Sequence, residues 1–172
     1  MSYHKDLIEA SKDKNKAVDV IEAVNYLAEK NVEEIFPTLK TIFFHPLTAK
    51  EVRRSIGKII ASTKSKPVYN MLLSHIILRN FSDLPAVIYT IGEYKDEKVY
   101  DLLLREYPSC NFEGKMQVIE AIGKIQSPKA LEFFSKVYNE NDEELIKNLT
   151  PEQVQKLKEK AGEELQNQVI DI

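Results

Sequence analysis

The chain has 172 residues, 43% hydrophobic and 30% charged, with a formal net charge of −3. That length fits one domain with a substantial core, and the balance excludes a disordered segment. The slight acidity weighs against nucleic acid as the main ligand, while leaving room for a local basic face. No apolar run is long enough to span a bilayer. Met1–Leu7 lacks the apolar core of a secretion signal. Cys110 is the single cysteine, so no disulfide forms within the chain and a cytoplasmic setting is expected.

In chain order, the first expected helix covers 4–12, with Leu7-Ile8 as its apolar contact, and residues 1–15 form an N-terminal cap. From residue 16 the apolar pattern repeats. Val20–Leu27, Ile56–Thr63, Val87–Tyr94 and Val118–Ile125 carry the same pattern at steps of 36, 31 and 31 residues. Within each, the apolar residues form one helical stripe, as Val20, Ile21, Val24 and Leu27 do. A second segment follows each, with an apolar pair at Ile35-Phe36, Met71-Leu72, Leu102-Leu103 or Phe133-Phe134. The expected helices run 16–29, 32–44, 49–62, 66–80, 83–94, 97–107, 113–126, 128–139, 142–149 and 151–168. Asn31, Pro46, Pro67, Pro108 and Ser127-Pro128 mark corners. Pro37 falls inside 32–44 and is expected to kink or split that helix. Ser127 is expected to cap the helix that follows it.

The glycine column reads Asn25, Ala61, Gly92, Gly123. A register through Gly57 instead of Ala61 is also open, but it makes the short connection uneven. A mid-helix glycine costs about 1 kcal/mol relative to alanine. Gly92 and Gly123 therefore point either to close approach of a neighbouring helix or to a C-terminal cap. After 139 the pattern changes. Thr150-Pro-Glu-Gln153 is a capping box, and Val154, Leu157, Ala161 and Leu165 form one narrow stripe, so 140–172 reads as polar capping helices. A period near 31–36 with two apolar segments per unit signals a stacked helical array. The expected fold is all-α in a single domain, with repeats over 16–139.

Residues 113–138 carry a resemblance. Ala121-Ile-Gly123-Lys-Ile125, then Ser127-Pro-Lys-Ala-Leu131, resemble the short HEAT-like repeat found also in phycobilisome bilin lyases. Ile35-Phe-Pro37-Thr-Leu39 followed by Val52-Arg53 is similar to the longer HEAT form. Asn25 and Ala61 in place of glycine, and Ser127 in place of aspartate, depart from it. The resemblance implies a right-handed α-α superhelix, a HEAT-like solenoid of about four helix pairs plus capping helices. It also implies that the glycine-ended helices line a concave side. Glu22, Tyr26, Lys58, Ser62, Tyr89, Glu93, Glu120 and Lys124 should then point outward, with Asp19, Arg54 and Gln117 flanking the groove. This face reads either as the docking surface of a protein partner or as an ordinary solvated face.

Lys50, Arg53, Arg54, Lys58, Lys64 and Lys66 form a basic stripe opposed locally only by Glu51. Such a stripe suits phosphates or an acidic segment, which keeps a nucleic-acid binder open as the alternative. Glu22, Glu93 and Glu120 interrupt it along the groove, and no tryptophan is present for stacking. His4, His45 and His75 are dispersed, so no metal or other cofactor is expected. His75 is expected to be satisfied and partly buried, and Cys110 to be an exposed loop thiol without a base. The expected function is a non-catalytic protein-interaction module, monomeric or weakly self-associating, without membrane contact. The remaining alternative is an enzyme-accessory subunit of bilin-lyase type.

Overall fold

Several helix starts in this chain sit where a side chain satisfies a backbone N–H. The computed structural model describes residues 2–170. Its helices are α1 (Ser2–Ala10), α2 (Ala17–Phe44), α3 (Lys50–Ser62), α4 (Lys66–Leu78), α5 (Leu84–Glu93), α6 (Tyr100–Glu106), α7 (Phe112–Ile125), α8 (Ala130–Asn139), α9 (Glu143–Ile146) and α10 (Pro151–Ile170). No strand occurs among the described residues, and the fold is all-α. Ser65, Asp83 and Asn111 each accept from a backbone N–H in the first turn of α4, α5 and α7. Pro67 and Pro85 occupy the early positions where a missing N–H is harmless. The Thr150 capping box forms as the spacing predicts: Gln153 N–H donates to Thr150 Oγ1 at 3.2 Å, and Thr150 N–H to Gln153 Oε1 at 3.1 Å. Ser127 acts differently from the expectation. α8 starts at Ala130, and Ser127 Oγ accepts from Lys129 N–H at 3.3 Å while donating to Glu97.

Three corners share one geometry. Lys64, Lys95 and Gln126 all adopt left-handed backbone (φ 58°, 54° and 56°), each three residues past Ala61, Gly92 or Gly123. The helix ends thus follow the register through Ala61, and Gly57 lies one turn earlier. The helices run on past Gly92 and Gly123, so neither glycine is a C-terminal cap.

Pro37 does not split its helix, whose backbone stays helical there. The break falls at Asn31, the expected boundary, whose φ of −163° and ψ of 93° are extended and whose Oδ1 accepts from Glu34 N–H at 3.3 Å. Pro37 and Glu33 are both exposed, so the carbonyl left without its donor faces water.

α3 packs on α2, α5 on α3, α7 on α5 and α10 on α7. α4 rests on α5, α6 on α7 and α8 on α10, and α1 covers α2. One hydrophobic cluster runs through them all, and the repeating stripes supply it: Val20 and Val24, Ile56 and Ile60, Val87, Ile88 and Ile91, Val118, Ile119 and Ile122. Each such side chain contributes about 1.5–3 kcal/mol on burial. At Gly92 α5 and α7 approach closely. A Cβ there would lie 2.7 Å from Ala121 Cβ and 2.9 Å from its Cα. On α10, Leu157 and Ala161 are buried and Val154 and Leu165 half-buried, as the narrow stripe predicts.

The approach to α10 hangs on a group with no periodic signal. Lys115 is fully buried. Its ammonium donates to the carbonyls of Pro108 (3.2 Å), Cys110 (2.6 Å) and Lys147 (3.4 Å) and sits 5.5 Å from the Tyr107 ring centroid.

Candidate functional site

The successive packing of α3, α5 and α7 sets three i,i+4 pairs side by side: Arg54 and Lys58, Tyr89 and Glu93, Glu120 and Lys124. Tyr89 is the centre. Arg54 approaches its ring from α3, with the guanidinium 5.9 Å from the centroid, and Lys124 from α7, with the ammonium at 4.3 Å. Contacts of this kind are worth about 0.5–1 kcal/mol each at exposed sites. Lys124 also donates to Glu93 Oε1 at 2.5 Å, which ties α7 back to α5. Burial, and then the Glu93 carboxylate, hold the Tyr89 phenol above its ordinary range. It is therefore a neutral donor near pH 7. The four half-buried side chains form a preorganised polar and aromatic patch built from three separate helices.

α10 extends the patch, a contribution beyond the polar capping expected of 140–172. Lys160 bridges Glu120 and Glu164, at 3.7 Å from each. Gln168 Nε2 donates to the Gly123 carbonyl at 3.3 Å. A Cβ at Gly123 would overlap the Glu164 carboxylate, so the glycine makes room for an acidic side chain. Burial pushes the Glu164 carboxyl up, against the opposing pull of Lys160. A cavity of about 460 Å³ lies here, lined by Lys95, Glu120, Lys124, Lys160 and Glu164 among others.

Other expected site residues lie elsewhere. Asp19, Glu22 and Tyr26 are exposed on the first half of α2. Tyr26 is 59% exposed, with the Lys30 ammonium 5.4 Å from its ring, and none of the three hydrogen-bonds to the Tyr89 group. Gln117 does not flank an open groove. It is only 6% exposed, and its Oε1 has no partner. The reason is its angle on the helix: it lies one turn from Ala121, on the side turned toward α5.

The basic stripe is also redistributed. Arg53 is 2% exposed and offers no surface charge. Its Nη1 donates to Asp83 at 2.7 Å, its Nε to the Phe43 carbonyl at 2.9 Å, and its Nη2 to the His45 carbonyl at 2.5 Å. Its spacing from Gly57 and Ile60, at i+4 and i+7, places it on the buried side of α3. Lys50 pairs with Glu113 of α7 at 3.5 Å. Lys58 is exposed. Lys64 and Lys66 lie at the far end of α3, away from Lys50.

Among the described residues no group of three His, Cys, Asp or Glu is placed to hold a metal ion. Cys110 is half-buried rather than exposed. Its thiol donates to the Glu106 carbonyl at 3.3 Å, and burial pushes its pKa up. His75 is half-buried, hydrogen-bonded to Asn80 at 2.7 Å and packed near Phe44 and Phe81. What the Tyr89 patch offers is a shaped, charged and aromatic surface. No helix of the described residues is long and apolar enough to cross a membrane. No family model, curated protein or solved structure matches this chain.

Proposed function

We propose that this chain is a HEAT-like repeat module that binds a protein partner on the face of α3, α5 and α7, without catalysis of its own. The observation that carries the reading is the convergence of Arg54, Tyr89, Glu93 and Lys124 from three consecutive helices. Half-buried tyrosine and arginine, with their rotamers already held, are the residue types that concentrate binding energy in interfaces. The corners at Lys64, Lys95 and Gln126, spaced by the same 31 residues as the apolar pattern, support the repeat. The proposed stacking is a right-handed superhelix closed by α10, with Glu120, Lys160 and Glu164 at its C-terminal rim. The single, half-buried cysteine fits a cytoplasmic module.

Affinity capture from the source cell extract tests this, with the wild type, Tyr89→Ala and Arg54→Glu/Lys58→Glu as baits, each first checked for native helicity. A protein recovered by the wild type, lost with both variants and kept by a Lys156→Glu control supports the reading. Recovery of no protein, or equal recovery by all baits, overturns it.

A further inference from the structure

Lys64 and Lys66 close α3 and open α4, and Lys95 from the end of α5 joins them around one cleft of about 380 Å³. The other walls are Tyr69, Tyr94 and Asp96. Among the described residues none of these three ammonium groups lies within ion-pair distance of a carboxylate. The polar groups of the walls are already engaged. Tyr69 Oη donates to Asp96 at 2.9 Å, Tyr94 Oη donates to the Ser65 carbonyl at 2.8 Å, and Asp96 also accepts from Lys98 N–H at 3.0 Å. That backbone N–H, foremost, holds Asp96 below the usual carboxylate range, so it stays ionised. Three lysines against one carboxylate leave the lining at +2.

Backbone needs explain only one of the three. Lys64 donates to the Tyr94 carbonyl at 3.1 Å. Lys66 stands 5.0 Å from the Tyr69 ring centroid, and the two tyrosine rings meet edge to face at 5.0 Å, so the floor between the lysines is rigid and aromatic. The positive end of α4 opens onto the same place. We propose that this cleft is a phosphate site, taking a phosphoryl group either from a small phosphate compound or from a phosphodiester backbone. One phosphomonoester, doubly charged near pH 7, or two successive singly charged phosphodiesters match the +2 lining, and lysines bind such groups as point charges with three donors each. The engaged tyrosine hydroxyls and buried rings leave no open face for stacking a base. Recognition is therefore of the phosphate alone. This site lies at the helix ends, and of its residues only Lys95 also lines the cavity beside the Tyr89 patch.

Thermal melting at low ionic strength with about 10 mM pyrophosphate tests it. A site with a dissociation constant of about 1 mM raises the midpoint by about 3–6 °C. Lys66→Gln/Lys95→Gln should melt as a folded protein and lose the shift. Lys156→Gln/Lys158→Gln, on α10, should keep it. No shift in the wild type, or the same shift in the Lys66/Lys95 variant, overturns the proposal. Retention on an immobilised oligothymidylate, measured in parallel, separates the two sources. Salt-sensitive retention lost with the same variant assigns the phosphodiester backbone; a pyrophosphate shift without retention assigns a small phosphate compound.

Discussion

The guanidinium of Arg53 meets the carboxylate of Asp83 at 2.7 Å, across thirty residues of chain, with both side chains buried. Together they fasten three elements. Arg53 belongs to α3, its remaining donors reach the carbonyls of Phe43 and His45 at the end of α2, and Asp83 caps α5. One planar fork thus fixes the angle at which α2 ends and α5 begins relative to α3.

Replacing Arg53 with alanine leaves the buried Asp83 carboxylate without its cation, with only the Ala86 N–H as donor, and takes a donor from the Phe43 and His45 carbonyls, of which His45 keeps the Thr48 N–H. The expected loss is about 3–5 kcal/mol, a fall in melting midpoint of about 6–20 °C. Arg53→Lys should recover little of it, because one ammonium cannot reach three acceptors held in a plane. Urea unfolding of both variants checks this; wild-type stability in either one contradicts it.

Gly92→Ala tests close approach against helix propensity. Propensity alone favours alanine by about 1 kcal/mol. The Cβ, however, would meet backbone as well as side-chain atoms of Ala121, which cannot step aside. Net destabilisation of about 1–3 kcal/mol is expected. Ala121→Gly in the same chain should recover part of it, and a double-mutant cycle measures the coupling.

Lys115→Met removes the donor shared by Pro108, Cys110 and Lys147. About 1–3 kcal/mol of stability should be lost, and amide exchange should quicken across 142–150, the stretch tied through the Lys147 carbonyl. Burial holds the Lys115 ammonium below its usual pKa. The folded state therefore releases this proton more readily than the unfolded chain does. The wild type should gain stability from this group as pH rises toward 10.5, and the variant should lack that gain.

The tyrosines act in the opposite sense. Burial pushes Tyr69, Tyr94 and Tyr100 up to about 12 from an ordinary 10. The folded state then keeps protons that the unfolded chain releases. Their contribution is fully present below pH 10 and is lost as pH rises toward 12. Melting midpoints measured from pH 8 upward should fall steeply past 10. Tyr94→Phe should flatten that fall, and an unchanged slope in this variant would count against the assignment.

Most helices were legible because each carries a periodic apolar stripe between corner residues. Asn31, Pro67 and the Thr150 capping box all mark ends within a few residues of where the structure has them. Pro37 misled, because its effect depends on whether the orphaned carbonyl meets water, and exposure is not written in the local sequence. The positions expected on a concave face were half legible. Tyr89, Glu93, Glu120 and Lys124 fell beside the stripes and are half-buried neighbours in the structure, whereas Gln117 fell at the edge of the arc and turned inward. For a long polar side chain at that angle, only the distance to the next helix decides whether it is covered.

By itself the sequence determined which residues are helical, where the helices turn and which stripe each one buries. These follow from interactions within a few residues and from a 3.6-residue period. Only the tertiary structure decided the fate of the charges. It sank Arg53 against Asp83, paired Lys50 with Glu113, drew Lys160 and Glu164 of α10 toward Glu120, and gathered Lys64, Lys66 and Lys95 around one cleft. A charge carries no periodicity. Its role is set by which opposite or like charge, carbonyl or ring comes within a few ångströms, and deciding partners such as Asp83 for Arg53, Glu113 for Lys50 and Glu120 for Lys160 lie thirty residues or more away along the chain.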